Sequence, residues 1–274
     1  MARAQFHEDD VARSQSRSLD MIVQVMSDLH LGPGSEDLPP LVDGAKLVVV
    51  AGDTCEGLVN AIESLRTAYP DVGIAMVAGN HEFYGRVYKE ELESGRKRAH
   101  ELEVSLLEND TAFFGRLRII GASFWTDYLL FGPHLRLAAM RAAYDQMRDH
   151  KRIRWNRNPW QRFRPHEALS LHVRSRNFFE TELSRQHDGP TMLLAHHGMI
   201  REALDPANER SLLAAAYASE VPFATQADLV VTGHTHRPMD FHRGRTRFIS
   251  NPRGYRGEGV RFDPCFVVEV PNVD

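Results

Sequence analysis

The sequence predicts an α/β fold with a mixed sheet, and three observations carry that expectation. Short apolar runs rich in β-branched residues recur along the chain, each ending at Gly, Asp, Asn or His. Helical patterns separate the early runs, and strand–helix–strand alternation is the mark of an α/β domain. One pair of runs, "TAFFG" and "LRIIGAS", abuts at Gly115-Arg116 as a hairpin would, which mixes antiparallel pairing into the sheet.

Taken in order, strands are expected at "MIVQVMS", "KLVVVAG", "GIAMVAG", "TAFFG", "LRIIGAS", "TMLLAHH", "DLVVTGH", "TRFIS" and "CFVVEV". Their near-continuous apolar character suits strands covered on both faces. "LVNAIESLRTAYP" places Leu58, Ile62 and Leu65 at helical spacing and stops at Pro70. "RVYKEELESGRKRAHELEVSLLEN" reads as a charged, solvent-facing helix. From Thr126 to Gln186 no strand is expected. Leu135 to Met147 reads as helix, "DHKRIRWNRNPWQRFRPHEA" as irregular chain, and "HEALSLHVRSRNFFETELSRQ" as helix again. A segment of this length is an insertion rather than a loop, and such insertions are usually functional. The organisation expected is a mobile arm over residues 1–20, then one domain over 21–274 with a helical cap at 126–186.

Composition narrows the class. The chain has 274 residues, 42% hydrophobic and 26% charged, enough for a sizeable core. The net charge of −4 carries no nucleic-acid signature. No apolar run approaches the roughly 18 residues of a membrane span. Two cysteines, Cys55 and Cys265, form neither a zinc cluster nor a disulfide framework, so a reducing cytoplasm is the expected compartment. The start of the chain lacks the apolar stretch of a secretory signal.

The unusual residues gather at the ends of the expected strands. "VMSDLHLG" puts Asp28 and His30 after the first, and "VVVAGDTCEG" puts Asp53 after the second. "MVAGNHEFYG" puts Asn80 and His81 after the third. "LLAHHG" supplies His196 and His197, and "VVTGHTH" supplies His234 and His236. In α/β sheets ligands bind outside the carboxyl ends of strands. Gly52, Gly79 and Gly233 permit sharp turns and close backbone approach there. Donors of Asp, His and Asn, with no thiolate, suit Mn, Fe, Zn, Co or Ni. A short carboxylate such as Asp53 can bridge two cations, and two cations about 3.5–4 Å apart clamp the oxygens of an in-line displacement.

Each fragment alone is weak, but the ordered series D-x-H, GD, GNH, H, GHxH is specific. It resembles the calcineurin-like metallophosphoesterases, over Asp28 to His236. The resemblance implies a four-layer αββα double β-sandwich with a dinuclear centre at the strand ends. It implies that Asp28, His30 and His236 hold one metal, that Asn80, His196 and His234 hold the other, and that Asp53 bridges. It makes His81 the catalytic histidine facing the leaving group. In "AHHG" it favours His196 as the ligand, with His197 the alternative. The stretch "GDTCEG" lacks the arginine of the GDxVDRG signature, which argues against protein phosphatase activity.

The activity so implied is hydrolysis of a phosphomonoester or phosphodiester by in-line attack of a metal-bound hydroxide, on a small phosphorylated molecule or nucleotide. The alternatives are a nuclease and a non-catalytic scaffold on the same fold. Arg154 and Arg157 of the insertion, with Trp155, Trp160 and Phe163 nearby, are expected in a lid that grips a phosphate and a flat group. A solvated helical layer ranks second and a nucleic-acid surface third. Arg253 and Arg256 of "SNPRGYRGEG" are candidate phosphate ligands, against the reading of a solvated glycine-rich loop. Cys55 is expected to pack behind the site, and histidines 7, 100, 134, 150, 166, 172, 187 and 242 to lie at the surface.

Overall fold

The structure, a computed structural model, describes residues 20–32 and 37–271. The expected arm over residues 1–20 therefore lies outside the described residues except for Asp20. The first sheet contains β1 (Met21–Met26), β2 (Ala45–Val50), β3 (Gly73–Met76), β4 (Ser105–Leu106) and β13 (Val267–Val270) in the order β13-β1-β2-β3-β4. The second contains β5 (Asp110–Phe114), β6 (Leu117–Ala122), β9 (Thr191–Ala195), β10 (Leu229–Val231), β11 (Met239–Arg243) and β12 (Thr246–Ser250) in the order β11-β12-β10-β9-β6-β5. Strands β1 to β4 run parallel, as do β6, β9, β10 and β12, while β13, β5 and β11 pair antiparallel at the edges.

Strand alternation divides each apolar run between two cores. Val23, Val25, Leu47 and Val49 of the first sheet meet Ile119, Met192, Leu194 and Val231 of the second in the sandwich interior. Val48 and Val50 face outward, onto α1 (Leu58–Ala68) and α2 (Tyr88–Glu101). Ile120, Leu193 and Val230 face the opposite way, onto Phe124, Phe179 and Phe223. The result is two sheets with helical cover on both outer faces. Fully burying each of these side chains is worth about 1.5–3 kcal/mol, which offsets backbone ordering of about 1–2 kcal/mol per residue.

The segment between β6 and β9 holds α3 (Arg136–Gln146), α4 (Asp149–Arg152) and α5 (Pro165–Leu183). Three local expectations are corrected. The "irregular" stretch contains a two-stranded ribbon, β7 (Arg154–Asn156) against β8 (Gln161–Arg162). The charged helix ends at Glu101; Glu103 takes φ 53°, and buried Val104 and Leu106 turn the chain into β4 beside β3. His150 and His172 are buried rather than at the surface, hydrogen-bonded through Nδ1 to the carbonyls of Phe163 (3.2 Å) and Phe124 (3.1 Å). β11 was not anticipated, because "MDFHR" is a half-exposed edge strand with no apolar run.

Candidate metal centre

Parallel register brings the carboxyl ends of β1, β2 and β3 to one edge, and those of β9 and β10 to the facing edge. Backbone bonds join the loops that follow. Asp28 N–H donates to Gly52 O and His30 N–H to Asp53 O, both at 3.0 Å. His234 N–H donates to the Asp28 carboxylate at 2.9 Å and so ties the second sheet to the first. Asp28 (φ 51°), His30 (45°), Asp53 (55°), His234 (66°) and His236 (53°) all sit in the left-handed region. That conformation costs of order 1–3 kcal/mol per non-glycine residue and persists only where the surroundings impose it. Here the buried strands impose it, and it swings side chains from five separate backbone positions toward one space. Glycine is required where loops touch: a Cβ on Gly79 would overlap Asp53 Oδ1, and one on Gly233 would lie 2.7 Å from Asp28 Oδ2.

The candidate ligands form groups whose donor atoms all lie within 4.8 Å of one another: Asp28, His30 and His236; His30, Asp53 and His81; and Asp53, His196 and His234. Asp53 sends Oδ2 to 3.9 Å from His30 Nε2 and Oδ1 to 3.4 Å from His196 Nε2. Asn80 Oδ1 is 2.9 Å from His196 Nε2. His236 Nε2 is 2.9 Å from His30 Nε2 and 3.5 Å from Asp28 Oδ1. His81 Nε2 stands 3.8 Å from Asp53 Oδ2 and 3.0 Å from the Tyr255 hydroxyl. His197 belongs to no such group among the described residues; its Nδ1 lies 3.1 Å from Ser123 O and its ring packs against Trp125.

Hydrogen bonding tests whether cations fit. His196 Nδ1 is 2.7 Å from Ala51 O, a group that can only accept, so Nδ1 carries the proton and Nε2 the lone pair. Asn80 Nδ2 donates to Asp149 Oδ1 at 2.8 Å, which turns Asn80 Oδ1 toward the same point. A nitrogen lone pair and an amide oxygen thus converge with no proton to share, beside Asp53 Oδ1, which accepts the His81 backbone N–H at 2.9 Å. His234 Nε2 is buried with no partner. Unpaired buried acceptors are costly, and a cation satisfies all of them.

Burial favours the neutral form of every imidazole here and prevails at all except His236. Burial pulls His30 down to about 4, against the attraction of Asp28. Burial, with His30 and His196 adding, pulls His81 down to about 3. His196 and His234 are lowered by burial too. Burial opposes a charged His236, yet its bonds to Asp28 and Glu258 leave it raised. Burial, then Glu82 and Asp28, pushes Asp53 well up, as expected where carboxylates crowd together in the interior.

Several residues not singled out from the sequence hold the centre in shape. Glu82 is buried and accepts the N–H groups of Asp53 (3.0 Å), Thr54 (2.6 Å) and Gly79 (2.7 Å). Glu258 Oε2 is 2.7 Å from His236 Nδ1. Tyr255 stacks on His30 with ring centroids 4.3 Å apart. Both belong to "SNPRGYRGEG", where the arginines drew attention instead. Arg253 turns away to donate to Asp37 O at 2.7 Å, and Arg256 is exposed, lining neither of the two cavities at the site. The available signal was topological: β12 is expected beside β10, so its carboxyl end meets the same edge.

The insertion reaches the centre through one stretch. Met147 and Arg148 line a cleft of about 700 Å³ over Asp53, Asn80 and His81, and Asp149 bonds Asn80. Arg154 and Arg157 line no part of it; both are exposed, and Arg157 pairs with Glu90 at 2.6 Å. Phe163 is fully buried and Trp155 packs beside it, so those aromatic residues serve the core. The opposite wall, with Leu204, Asn208, Leu213 and Tyr217, comes from the connector between β9 and β10. Cys55 is buried and its thiol is pushed up to about 12 by burial, which matches a packing role.

A solved structure of phosphopantetheinyl hydrolase from Mycobacterium tuberculosis is similar, with a TM-score of 0.67 at 20% identity, covering 86% of this chain and 90% of that one. A candidate 5′-nucleotidase from Staphylococcus aureus gives a TM-score of 0.44 at 14% identity over 86% of this chain and 49% of that one. Vacuolar protein sorting 29 from Cryptosporidium parvum gives 0.33 at 13% identity over 86% and 75%. The first likeness establishes a shared fold. No curated protein matches. The family model of the calcineurin-like phosphoesterases matches residues 21–238, which takes in strands of both sheets and every candidate ligand, and the chain belongs to that family.

Proposed function

We propose that this chain is a dinuclear metal-dependent phosphoesterase that hydrolyses a phosphorylated small molecule or nucleotide. The observation that carries this reading is Asp53, whose two carboxylate oxygens face two different donor groups. Asp28, His30 and His236 would hold one ion with Asp53, and Asn80, His196 and His234 the other. The ions, drawn from Mn, Fe, Zn, Co or Ni, would supply the positive charge that polarises a phosphoryl group and makes water acidic near neutral pH. The chain's own residues do the rest. The left-handed loops fix the donors before substrate arrives, so little reorganisation is needed. His81, on the open side, donates a hydrogen bond to the leaving oxygen. Tyr255, already bonded to His81 Nε2, holds that ring in place. The family's catalytic histidine and all seven candidate ligands are present, which favours an enzyme over a scaffold. The net charge of −4 favours small substrates over nucleic acid.

The test is reconstitution with each metal, followed by metal analysis and assay with 4-nitrophenyl phosphate and bis(4-nitrophenyl) phosphate. Two ions per chain and chelator-sensitive turnover are expected. A chain that binds two ions and hydrolyses neither ester is a scaffold, and the proposal fails.

A further inference from the structure

The loop after β12 reaches three of the centre's histidines through one turn. Arg253 N–H donates to Ser27 O and Gly254 N–H to Asp28 O, both at 3.0 Å, which pins the base of the loop beside the end of β1. Residues 255–258 then fold back on themselves. Glu258 N–H donates to Tyr255 O at 3.0 Å, and Glu258 Oε2 accepts the Tyr255 N–H at 2.7 Å. Gly254 (φ 72°) makes room for this, since a Cβ there would lie 2.8 Å from Glu258 Oε2. The same Oε2 is 2.7 Å from His236 Nδ1. A carboxylate oxygen accepts, so Nδ1 carries the proton and the Nε2 lone pair is left facing the centre, 2.9 Å from His30 Nε2. His30 Nδ1 is buried without a partner, so no hydrogen bond at that nitrogen orients the ring; the Tyr255 ring lies stacked on it instead, with centroids 4.3 Å apart. The Tyr255 hydroxyl meets His81 Nε2 at 3.0 Å. Tyr255 is 46% exposed, so packing does not hold it and the turn must.

Building on the dinuclear phosphoesterase reading, we propose that Glu258 and Tyr255 form one positioning unit, which ties the ion of Asp28, His30 and His236 to the setting of His81. Glu258 selects the nitrogen that His236 turns to the ion and, through the Tyr255 N–H, fixes where the Tyr255 ring stands. That ring orients His30, a second donor to the same ion, and its hydroxyl steadies His81. Asn80, His196 and His234 receive no hydrogen bond or ring contact from the turn among the described residues; Asp149 and Ala51 O brace Asn80 and His196 instead. The two halves of the centre thus rest on different parts of the chain, the insertion for one and the loop after β12 for the other. Residues 255–258 lie outside the family-matched stretch 21–238, so the series of ligand motifs does not contain this support.

The first test is calorimetric titration of the metal-free protein with Mn²⁺, which needs no turnover. In Glu258→Ala the ion of Asp28, His30 and His236 should weaken by about 10–100-fold and the other by less than about threefold. Glu258→Gln keeps an acceptor oxygen and should recover part of the loss. Adding Asp149→Ala, which removes a brace of the other ion, should leave both affinities weakened; one affinity still at the wild-type value places both residues on one ion and overturns the proposal. The second test separates hydroxyl from ring. Tyr255→Phe keeps the stack on His30, so both affinities should stay within about threefold of wild type. At saturating metal its kcat for phenyl phosphate or diphenyl phosphate should fall about tenfold with KM changed less than about threefold, and the 4-nitrophenyl counterparts, whose leaving group relies less on His81, should fall less. Unchanged affinities in Glu258→Ala, equal weakening of both ions, or a phenyl ester kcat that does not fall in Tyr255→Phe each overturn the positioning unit and leave the phosphoesterase in place. Two ions bound with none of the four esters hydrolysed overturns the phosphoesterase reading, and the titration still decides the role of Glu258. A wild-type chain that binds fewer than two ions removes the dinuclear reading and this inference with it.

Discussion

Asp149 offers a quantitative test of how the insertion supports the metal centre. Its carboxylate accepts from Asn80 Nδ2 at 2.8 Å and from the Tyr84 hydroxyl at 2.7 Å. The first bond, together with one from Asn80 Nδ2 to the Tyr84 hydroxyl at 3.0 Å that Asp149 itself holds in place, sets which end of the Asn80 amide faces His196. In Asp149→Ala the amide loses that restraint and can present its NH₂ end to the site, where it repels a cation. Removing a supporting partner of a metal ligand typically costs 10–100-fold in affinity, or about 1.4–2.8 kcal/mol at 1.4 kcal/mol per tenfold. Only the ion held by Asn80, His196 and His234 should feel it, because Asp149 touches neither His30, His236 nor Asp28. Calorimetric titration of metal-free protein with Mn²⁺ or Zn²⁺ should resolve two affinities in the wild type. In the variant one should weaken by 10–100-fold and the other by less than threefold. Asp149→Asn, which keeps an acceptor oxygen, should recover part of the loss. Equal weakening at both sites would refute the reasoning, since it would mean general loosening rather than a misdirected amide; so would no weakening at all.

Asp53→Asn preserves shape and tolerance of the left-handed backbone but replaces the carboxylate proposed as the bridge; metal analysis should show loss of both ions and of turnover, and two retained ions would exclude the bridge. His81→Ala should keep both ions yet slow hydrolysis of alkyl esters by about 10²–10⁴-fold, with a smaller loss for nitrophenyl esters whose leaving group needs no proton; loss of metal would make His81 a ligand instead. The metal-free protein should weaken in mild acid. Burial holds His150 at about 4, against an ordinary value of 6.5. The unfolded chain therefore takes up a proton between those values that the folded chain refuses. The stabilisation is complete above pH 6.5 and is lost as pH falls to about 4, by about 3 kcal/mol at 1.36 kcal/mol per unit. Urea unfolding of His150→Gln across pH 4–7 should show a slope flatter by that amount, and an unchanged slope would remove His150 from the account.

Much of this protein is legible in one dimension because its signals are local. Continuous apolar runs such as "KLVVVAG" require strands buried on both faces, and the structure divides Val49 and Val48 between two cores. The candidate metal donors could be named because each follows a strand end within a few residues, and parallel register then aligns those ends without further information. Gly79 and Gly233 were readable for the same reason: only a residue without a side chain lets those loops touch Asp53 and Asp28.

What the tertiary structure decided depends on partners distant in the chain. Nothing near Glu258 announces that its carboxylate meets His236, or near Tyr255 that its hydroxyl meets His81, 174 residues away. The arginines of the insertion looked alike as letters. Packing alone separates Arg157, which Glu90 neutralises, from Arg148, which lines both cavities at the site and has no carboxylate partner among the described residues. His150 and His172 carry no apolar label, so only their carbonyl partners reveal that they are interior. Sequence determines which side chains stand at strand ends, because that follows from local backbone geometry. Which charges remain unpaired beside them follows from how separate segments fold over the sheet, and that is settled only in three dimensions.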